Sequence, residues 1–244
     1  MRLKCLGCEA LARLLYTSAA QSPHIVDVEL FKLGLHNRPN DLRDRLQERI
    51  DATPADEYDA IVLGYGICGK ATVGLVSQSL PMIIPRAHDC ITLYLGDRMR
   101  YKDQFEQQPG TYWYTVDYLE RHKAGEALGA TAASTDLAEE YEKFVEKFGK
   151  DNADYLMEVM GAWQAHYERA AYIDMGVGDN DAAIARAQEM AQRRNWRFER
   201  LTGDLVLIRK LILGEWDENF LQIEPGQSIG MSFDDSIVEC VLHG

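Results

Sequence analysis

Strand-like and helix-like segments take turns along the first ninety residues, and this alternation constrains the fold more than any other feature of the chain. Residues 2–7 read as a short strand, and residues 9–20 follow with Leu11, Leu14, Leu15 and Ala19 at helical spacing. Residues 24–33 are rich in Val, Ile and Phe, and residues 41–52 return to helical periodicity through Leu42, Leu46 and Ile50. The run Asp59-Ala60-Ile61-Val62-Leu63-Gly64 is the clearest strand, being short, β-rich and ended by glycine. A helix is expected from about Lys70 and a further strand over residues 80–84. Repetition of this kind gives a parallel sheet with right-handed crossovers. The expected fold class is therefore α/β, with parallel-sheet, Rossmann-like units.

The middle of the chain breaks the rhythm. Residues 135–166 read as helix almost throughout, with a capping-type start at Ser134-Thr135-Asp136, and the small-residue stretch 125–134 reads as a linker. Alternation then resumes: strand 171–175, helix 181–193, strand 197–202, helix 204–213 and strand 220–223. The organisation expected is an N-terminal α/β unit over residues 1–125, a helical insertion over 126–168, and a C-terminal α/β unit over 169–244 packing on the first.

Composition narrows the function. A formal charge of -13 without a basic stripe argues against nucleic-acid or anionic-membrane partners, because a phosphate-binding surface needs clustered Lys and Arg. At 46% hydrophobic residues the chain has material for a core, and no run of apolar residues is long enough for a span. Without a recognisable targeting segment the expected location is cytoplasmic. Five cysteines in a reducing compartment are core, metal-bound or reactive rather than disulfide-bonded.

Chemistry concentrates in Leu63-Gly64-Tyr65-Gly66-Ile67-Cys68-Gly69 and Pro85-Arg86-Ala87-His88-Asp89-Cys90. Each follows an apolar strand, and open α/β sheets build their sites at such strand ends. Neighbouring parallel strands lie about 5 Å apart, so Cys68, His88 and Cys90 are candidates to share one metal ion, with Cys8 at the end of the first strand as a fourth ligand. A Cys/His set suits zinc, iron or an iron-sulfur cluster. Two rival readings stand beside it. Cysteines at strand ends also serve as small buried hydrophobes, and a Cys–His pair is a nucleophile with its base. Cys5 with Cys8 also forms a CxxC pair, open to a redox or a packing role.

Gly64, Gly66 and Gly69 have the spacing of a dinucleotide fingerprint. The Cys inside it and the absence of an acidic residue closing a following strand disfavour a nicotinamide site, and leave the glycines to bring backbone close to a bound group or to form a tight turn. His36, at the end of the second strand, Arg86 and Tyr65 are the candidates for handling substrate. Tyr112-Trp113-Tyr114 with Tyr118, and Asp174 with Gly176-Val177-Gly178-Asp179, are weaker candidates for a pocket wall and a second strand-end site.

Several of these runs resemble one family. Residues 63–69, the run Ile84-Pro85-Arg86-Ala87-His88-Asp89-Cys90 continuing to Gly96, Gly34-Leu35-His36, residues 109–112, Gly203-Asp204 and residues 214–217 are together similar to the domain of unknown function 1638. The resemblance includes positions matching Cys8, Cys68, His88 and Cys90 but not Cys5, which weakens the CxxC reading. It departs at Asp117-Tyr118, where the family has a Gly-Trp pair. The resemblance implies proximity to corrinoid-dependent methyltransferase systems. The function expected from it is a zinc- or iron-dependent enzyme of one-carbon and methylated-compound metabolism, of methyltransferase or lyase type, with a small-molecule substrate. The alternative is a non-catalytic metal-binding or corrinoid-pathway accessory protein, a carrier or chaperone.

Overall fold

A computed structural model describes residues 1–121, 145–146, 149–150, 152 and 167–242. The expected linker over 125–134 and nearly all of the expected helical insertion over 126–168 lie outside the described residues. The described residues form a mixed α/β structure with both parallel and antiparallel strand pairing. The chain divides into two compact units, one made of Met1–Lys102 with Gly203–Gly244 and the other of Asp103–Thr202.

The first unit begins with β1 (Arg2–Cys8), α1 (Ala12–Gln21), β2 (Ile25–Phe31), α2 (Pro39–Asp51), β3 (Ala60–Gly64) and β4 (Met82–Pro85). Two short helices follow, α3 (Cys90–Leu95) and α4 (Arg98–Gln107), of which α4 belongs to the first unit only as far as Lys102. β1 pairs in parallel with β2 and β3, and β3 in parallel with β4. Every residue of β3 is buried, as expected of a continuous apolar run covered on both faces of a parallel sheet. β2 is the edge strand and carries Asp27 and Glu29, which pair with Arg2 and with Lys4 and Arg49. Charges on an edge discourage further strand addition.

The glycines of the first motif serve this packing. Gly7 of β1 stands opposite Gly64 of β3, and a Cβ on Gly7 would lie 2.4 Å from a Leu15 methyl. A Cβ on Gly64 would meet the same methyl at 3.1 Å. The glycine pair thus lets α1 sit down on the sheet through Leu15, which is fully buried.

Two local expectations change. No helix starts at Lys70: residues 69–74 form turns, with Gly69, Lys70 and Gly74 all at positive φ (68°, 72° and 87°), a geometry that cannot propagate a right-handed helix. And the last strand of the sheet is antiparallel. After α7 (Val206–Leu213), β8 (Phe220–Ile223) pairs with β4 in the opposite direction, giving the order β2-β1-β3-β4-β8. β9 (Gln227–Met231) and β10 (Val238–Leu242) then form a separate antiparallel hairpin.

The second unit contains β5 (Thr111–Tyr114), α5 (Val116–Arg121), β6 (Arg169–Asp174), α6 (Asn180–Arg193) and β7 (Arg197–Thr202). Its three strands are parallel in the order β5-β6-β7. α6 buries Ala183, Ala187 and Ala191, spaced to share one face, against Tyr112, Tyr114, Tyr167 and Tyr172. Small helix residues leave room for large strand residues, so the aromatic run is core. Among the described residues no helix is long and apolar enough to cross a membrane.

Candidate thiol site

Strand register sets the site. Because Gly7 is the partner of Gly64, Cys8 and Tyr65 leave the carboxyl ends of β1 and β3 side by side. Beyond β3 the chain runs along the chain beyond β4: the Ile67 N–H donates to the Ala87 carbonyl and the Cys68 N–H to the His88 carbonyl, both at 2.9 Å. This approach is as close as it is because residue 66 has no side chain. A Cβ there would stand 2.6 Å from the Ala87 oxygen and 2.8 Å from the Asp89 nitrogen. The Thr72 hydroxyl fixes the same loop by donating to the Gly66 carbonyl at 3.0 Å.

Next, α3 positions the second thiol. Its sequence is capped at both ends: the buried Asp89 carboxylate accepts from the Ile91 N–H at 2.9 Å, and Gly96 closes the helix at φ 75°. Cys90 is therefore the first residue of a helix whose remaining residues are buried. Tyr101 of α4 donates to the other Asp89 oxygen at 3.4 Å. Cys8 caps the turn before α1, its sulfur accepting from the Ala10 N–H at 3.5 Å.

Burial disfavours the thiolate at Cys68 and Cys90. Burial pushes Cys68 up most, and Asp89 and Cys8 add to it, while hydrogen bonds from the backbone of Gly66 and Cys90 oppose. For Cys90 burial again leads, followed by Asp89, Cys68 and Cys8, and its own backbone N–H opposes. The Cys68 backbone lies alongside the segment that leads into Cys90, because its N–H donates to the His88 carbonyl. Cys5, fully buried within β1, is pushed up to about 12 by burial. Tyr65 is held well above the ordinary phenol range by burial and then by Cys8, Cys68, Cys5 and Cys90. Tyr65 is 3% exposed, and its hydroxyl has no hydrogen-bond partner among the described residues.

The expected metal site is not formed. Among the described residues no group of three or more His, Cys, Asp or Glu side chains is placed to hold a metal ion, so Cys8, Cys68, His88 and Cys90 are not a ligand set. The physical reason is visible at each position. His88 turns its carbonyl, not its ring, toward Cys68; it is exposed, with its ring 5.7 Å from that of Tyr101. Cys8 is engaged as a cap, its sulfur accepting from the Ala10 N–H. The zinc, iron and iron-sulfur expectations fall with this, as do the metal-dependent enzyme and the metal carrier or chaperone that rested on them.

The remaining candidates are dispersed. His36 lies on a single 3-10 turn, Leu35–Asn37, with Nε2 buried and its carbonyl 3.7 Å from the position a Gly69 Cβ would take. Arg86 points elsewhere: its guanidinium donates to the carbonyls of Ser236 (2.9 Å) and Val238 (2.5 Å), anchoring the β9–β10 hairpin. Asp174, at the end of β6, is paired with Arg200 and accepts from the Gly176 N–H at 2.8 Å. Sequence reasoning passed over α3 and Tyr101. An Asp and a Gly bracketing the apolar run 90–95 was the available signal for the helix, whereas nothing local marks Tyr101 as a neighbour of Asp89.

Comparison with curated proteins and with solved structures gave no match in either case. Residues 30–212, which include Tyr65, Cys68, Asp89, Cys90 and Tyr101, match the family described as protein of unknown function (DUF1638), and the chain belongs to that family.

Proposed function

We propose that this protein is a thiol-based oxidoreductase in which Cys68 and Cys90 pass two electrons to a small-molecule substrate. The order β2-β1-β3-β4 of parallel strands supports reading the first unit as Rossmann-like, with the pair at the carboxyl ends where such sheets bind ligands. The observation that carries the reading is the loop pairing: the Cys68 N–H donates to the His88 carbonyl at 2.9 Å, which brings Cys68 alongside the segment that leads into Cys90. Both cysteines are reduced here. Oxidation breaks two S–H bonds, forms one S–S bond and delivers two electrons and two protons to the oxidised substrate.

Disfavoured thiolates give this couple its direction. Stabilised thiolates make a disulfide oxidising, because the reduced form is favoured. Cys68 and Cys90 have the opposite environment, buried beside the Asp89 carboxylate, so the dithiol is a reductant and its disulfide a stable product. Cys90, half-buried where Cys68 is 7% exposed, is the sulfur that meets the substrate, and Cys68 closes the disulfide.

Equilibration of the whole protein with dithiothreitol redox buffers, followed by maleimide labelling and peptide mass mapping, tests this. A Cys68–Cys90 crosslink should accumulate as the buffer becomes oxidising, and Cys68→Ser or Cys90→Ser should abolish it. Maleimide uptake at both residues in every buffer would overturn the proposal.

A further inference from the structure

Phe233 stands at the tip of the β9–β10 hairpin and is 95% exposed, the most exposed large apolar side chain among the described residues. Scattered apolar side chains on a surface are ordinary, but this one is held in place. Within the loop the Ser232 N–H donates to the Ile237 carbonyl at 2.9 Å. The Asp234 carboxylate accepts from the Ser236 N–H at 2.8 Å and from the Ser232 hydroxyl at 2.7 Å. Ile237, a β-branched residue, takes φ 66° with its side chain buried, a conformation that persists only where the surroundings impose it. From outside the loop, Arg86 holds the Ser236 and Val238 carbonyls, and Lys102 pairs with Asp235 at 2.9 Å. The ring is thus an aromatic anchor whose conformation is fixed before it meets anything, the condition that favours tight association.

The same unit carries a hollow of matching character. The inner face of α7 buries Leu207, Ile208, Leu211 and Ile212. On its outer side Leu205, Val206 and Leu213, brought together by helical spacing, line an open hollow of about 390 Å³. That volume is within the range of ligand pockets and leaves room for one aromatic side chain. Two cations share the wall. Lys210 is paired with Asp217, whereas Arg209 is exposed and has no acidic partner among the described residues. Of the acids at the two ends, Asp204 is engaged in capping the helix through the Val206 N–H at 2.9 Å, and Glu215 lies beyond the last turn.

We infer that the hollow on α7 receives Phe233 of a second copy of this chain, so that two molecules associate by exchanging rings. Three observations select a second copy as the occupant. Ring and hollow lie on one chain and within one compact unit. Asp234 and Asp235 follow the ring while Arg209 stands in the hollow, so opposite charges meet as the ring enters and fix its orientation. A chain of formal charge -13 repels its own copies except where such a local match exists, which makes the contact specific. A two-fold arrangement uses each ring and each hollow once and closes the assembly at a dimer.

Sedimentation velocity on the whole protein, joined to photocrosslinking, tests this. Wild type should be dimeric at tens of micromolar. Phe233→Ser should weaken association by at least about 30-fold, the scale of losing a central aromatic anchor, and should leave the circular dichroism spectrum unchanged because the ring is exposed. Arg209→Glu, also on the surface, should weaken association from the other side of the contact. With Phe233 replaced by photoreactive p-benzoylphenylalanine, illumination should join residue 233 to residues 204–215 of the second copy. A wild type that stays monomeric, a Phe233→Ser protein that stays dimeric, or crosslinks that map to another surface would each overturn the inference. Illumination inside the expressing cells adds a further arm: adducts with a different protein or with lipid, in place of the second copy, also overturn it.

Discussion

A side-chain carbon on Gly66 would stand 2.6 Å from the carbonyl oxygen of Ala87, so the loops after β3 and β4 touch backbone to backbone. Gly66→Ala forces them apart against two hydrogen bonds, Ile67 to Ala87 and Cys68 to His88. We expect a loss of about 1–3 kcal/mol in urea unfolding, the usual cost of overpacking. The same separation should slow formation of the Cys68–Cys90 crosslink. A variant as stable as wild type would show that the loops yield freely.

Alkylation kinetics report on the thiols directly. The thiolate is the reacting species, and burial, then Asp89, Cys68 and Cys8, push Cys90 upward. Its rate with iodoacetamide should therefore climb about tenfold per pH unit from roughly pH 7 to 9 without levelling. A plateau below pH 8 would mean an activated thiolate and would contradict the reductant described above.

Arg86 gives a prediction far from the thiols. Its guanidinium holds two carbonyls of the segment leading into β10, and hydrogen bonds to a charged group contribute about 1.5–3 kcal/mol. Arg86→Met should raise amide hydrogen exchange across residues 232–242 and leave exchange in β1 and β3 unchanged. Uniform exchange increases across the first unit would show that the anchor supports the whole sheet instead.

Acid sensitivity at the β2 edge follows from Asp27. Hydrogen bonds from Tyr58 and then Arg2 hold its carboxyl below the usual range. A carboxylate with a depressed folded pKa stabilises above its unfolded value and loses that contribution as pH falls through the folded one. The pair is about 40% exposed on each side, so screening keeps the effect to about 0.5–1 kcal/mol. Asp27→Asn should be less stable than wild type by that amount at pH 7, with the gap closing below about pH 3. A gap that persists at pH 2 would assign the loss to packing rather than charge.

Much of this architecture is legible locally. β7 (Arg197–Thr202) and β8 (Phe220–Ile223) coincide with the segments read from β-rich composition, and α1, α2 and α6 differ from the periodic stretches only at their ends. The direction of β8 was not legible, because pairing with β4 depends on contacts more than a hundred residues apart. Nor was the turn at Lys70, where a non-glycine residue adopts φ 72° under tertiary constraint.

The site divides the same way. Cys68 and Cys90 could be brought together from strand ends alone, since adjacent parallel strands leave few alternatives. Which part of His88 faces Cys68 could not. A backbone carbonyl and an imidazole belong to one residue, and only the loop path after β4 decides that the carbonyl accepts from Cys68 while the ring packs near Tyr101. Metal-ligand reasoning from residue types counts the ring as available in either case, which is why the ligand set looked complete.

The antiparallel pairing of β4 with β8 also dictates an order of assembly. On a ribosome, β1 to β4 emerge first, but the outer edge of β4 has no partner until Phe220–Ile223 is made, after every residue of the second unit. The nascent first unit therefore carries an open sheet edge throughout synthesis of the second, the kind of exposed strand on which chaperones and misassembly compete. Moving residues 203–242 ahead of β1 by circular permutation would close that edge during synthesis and should raise the soluble yield.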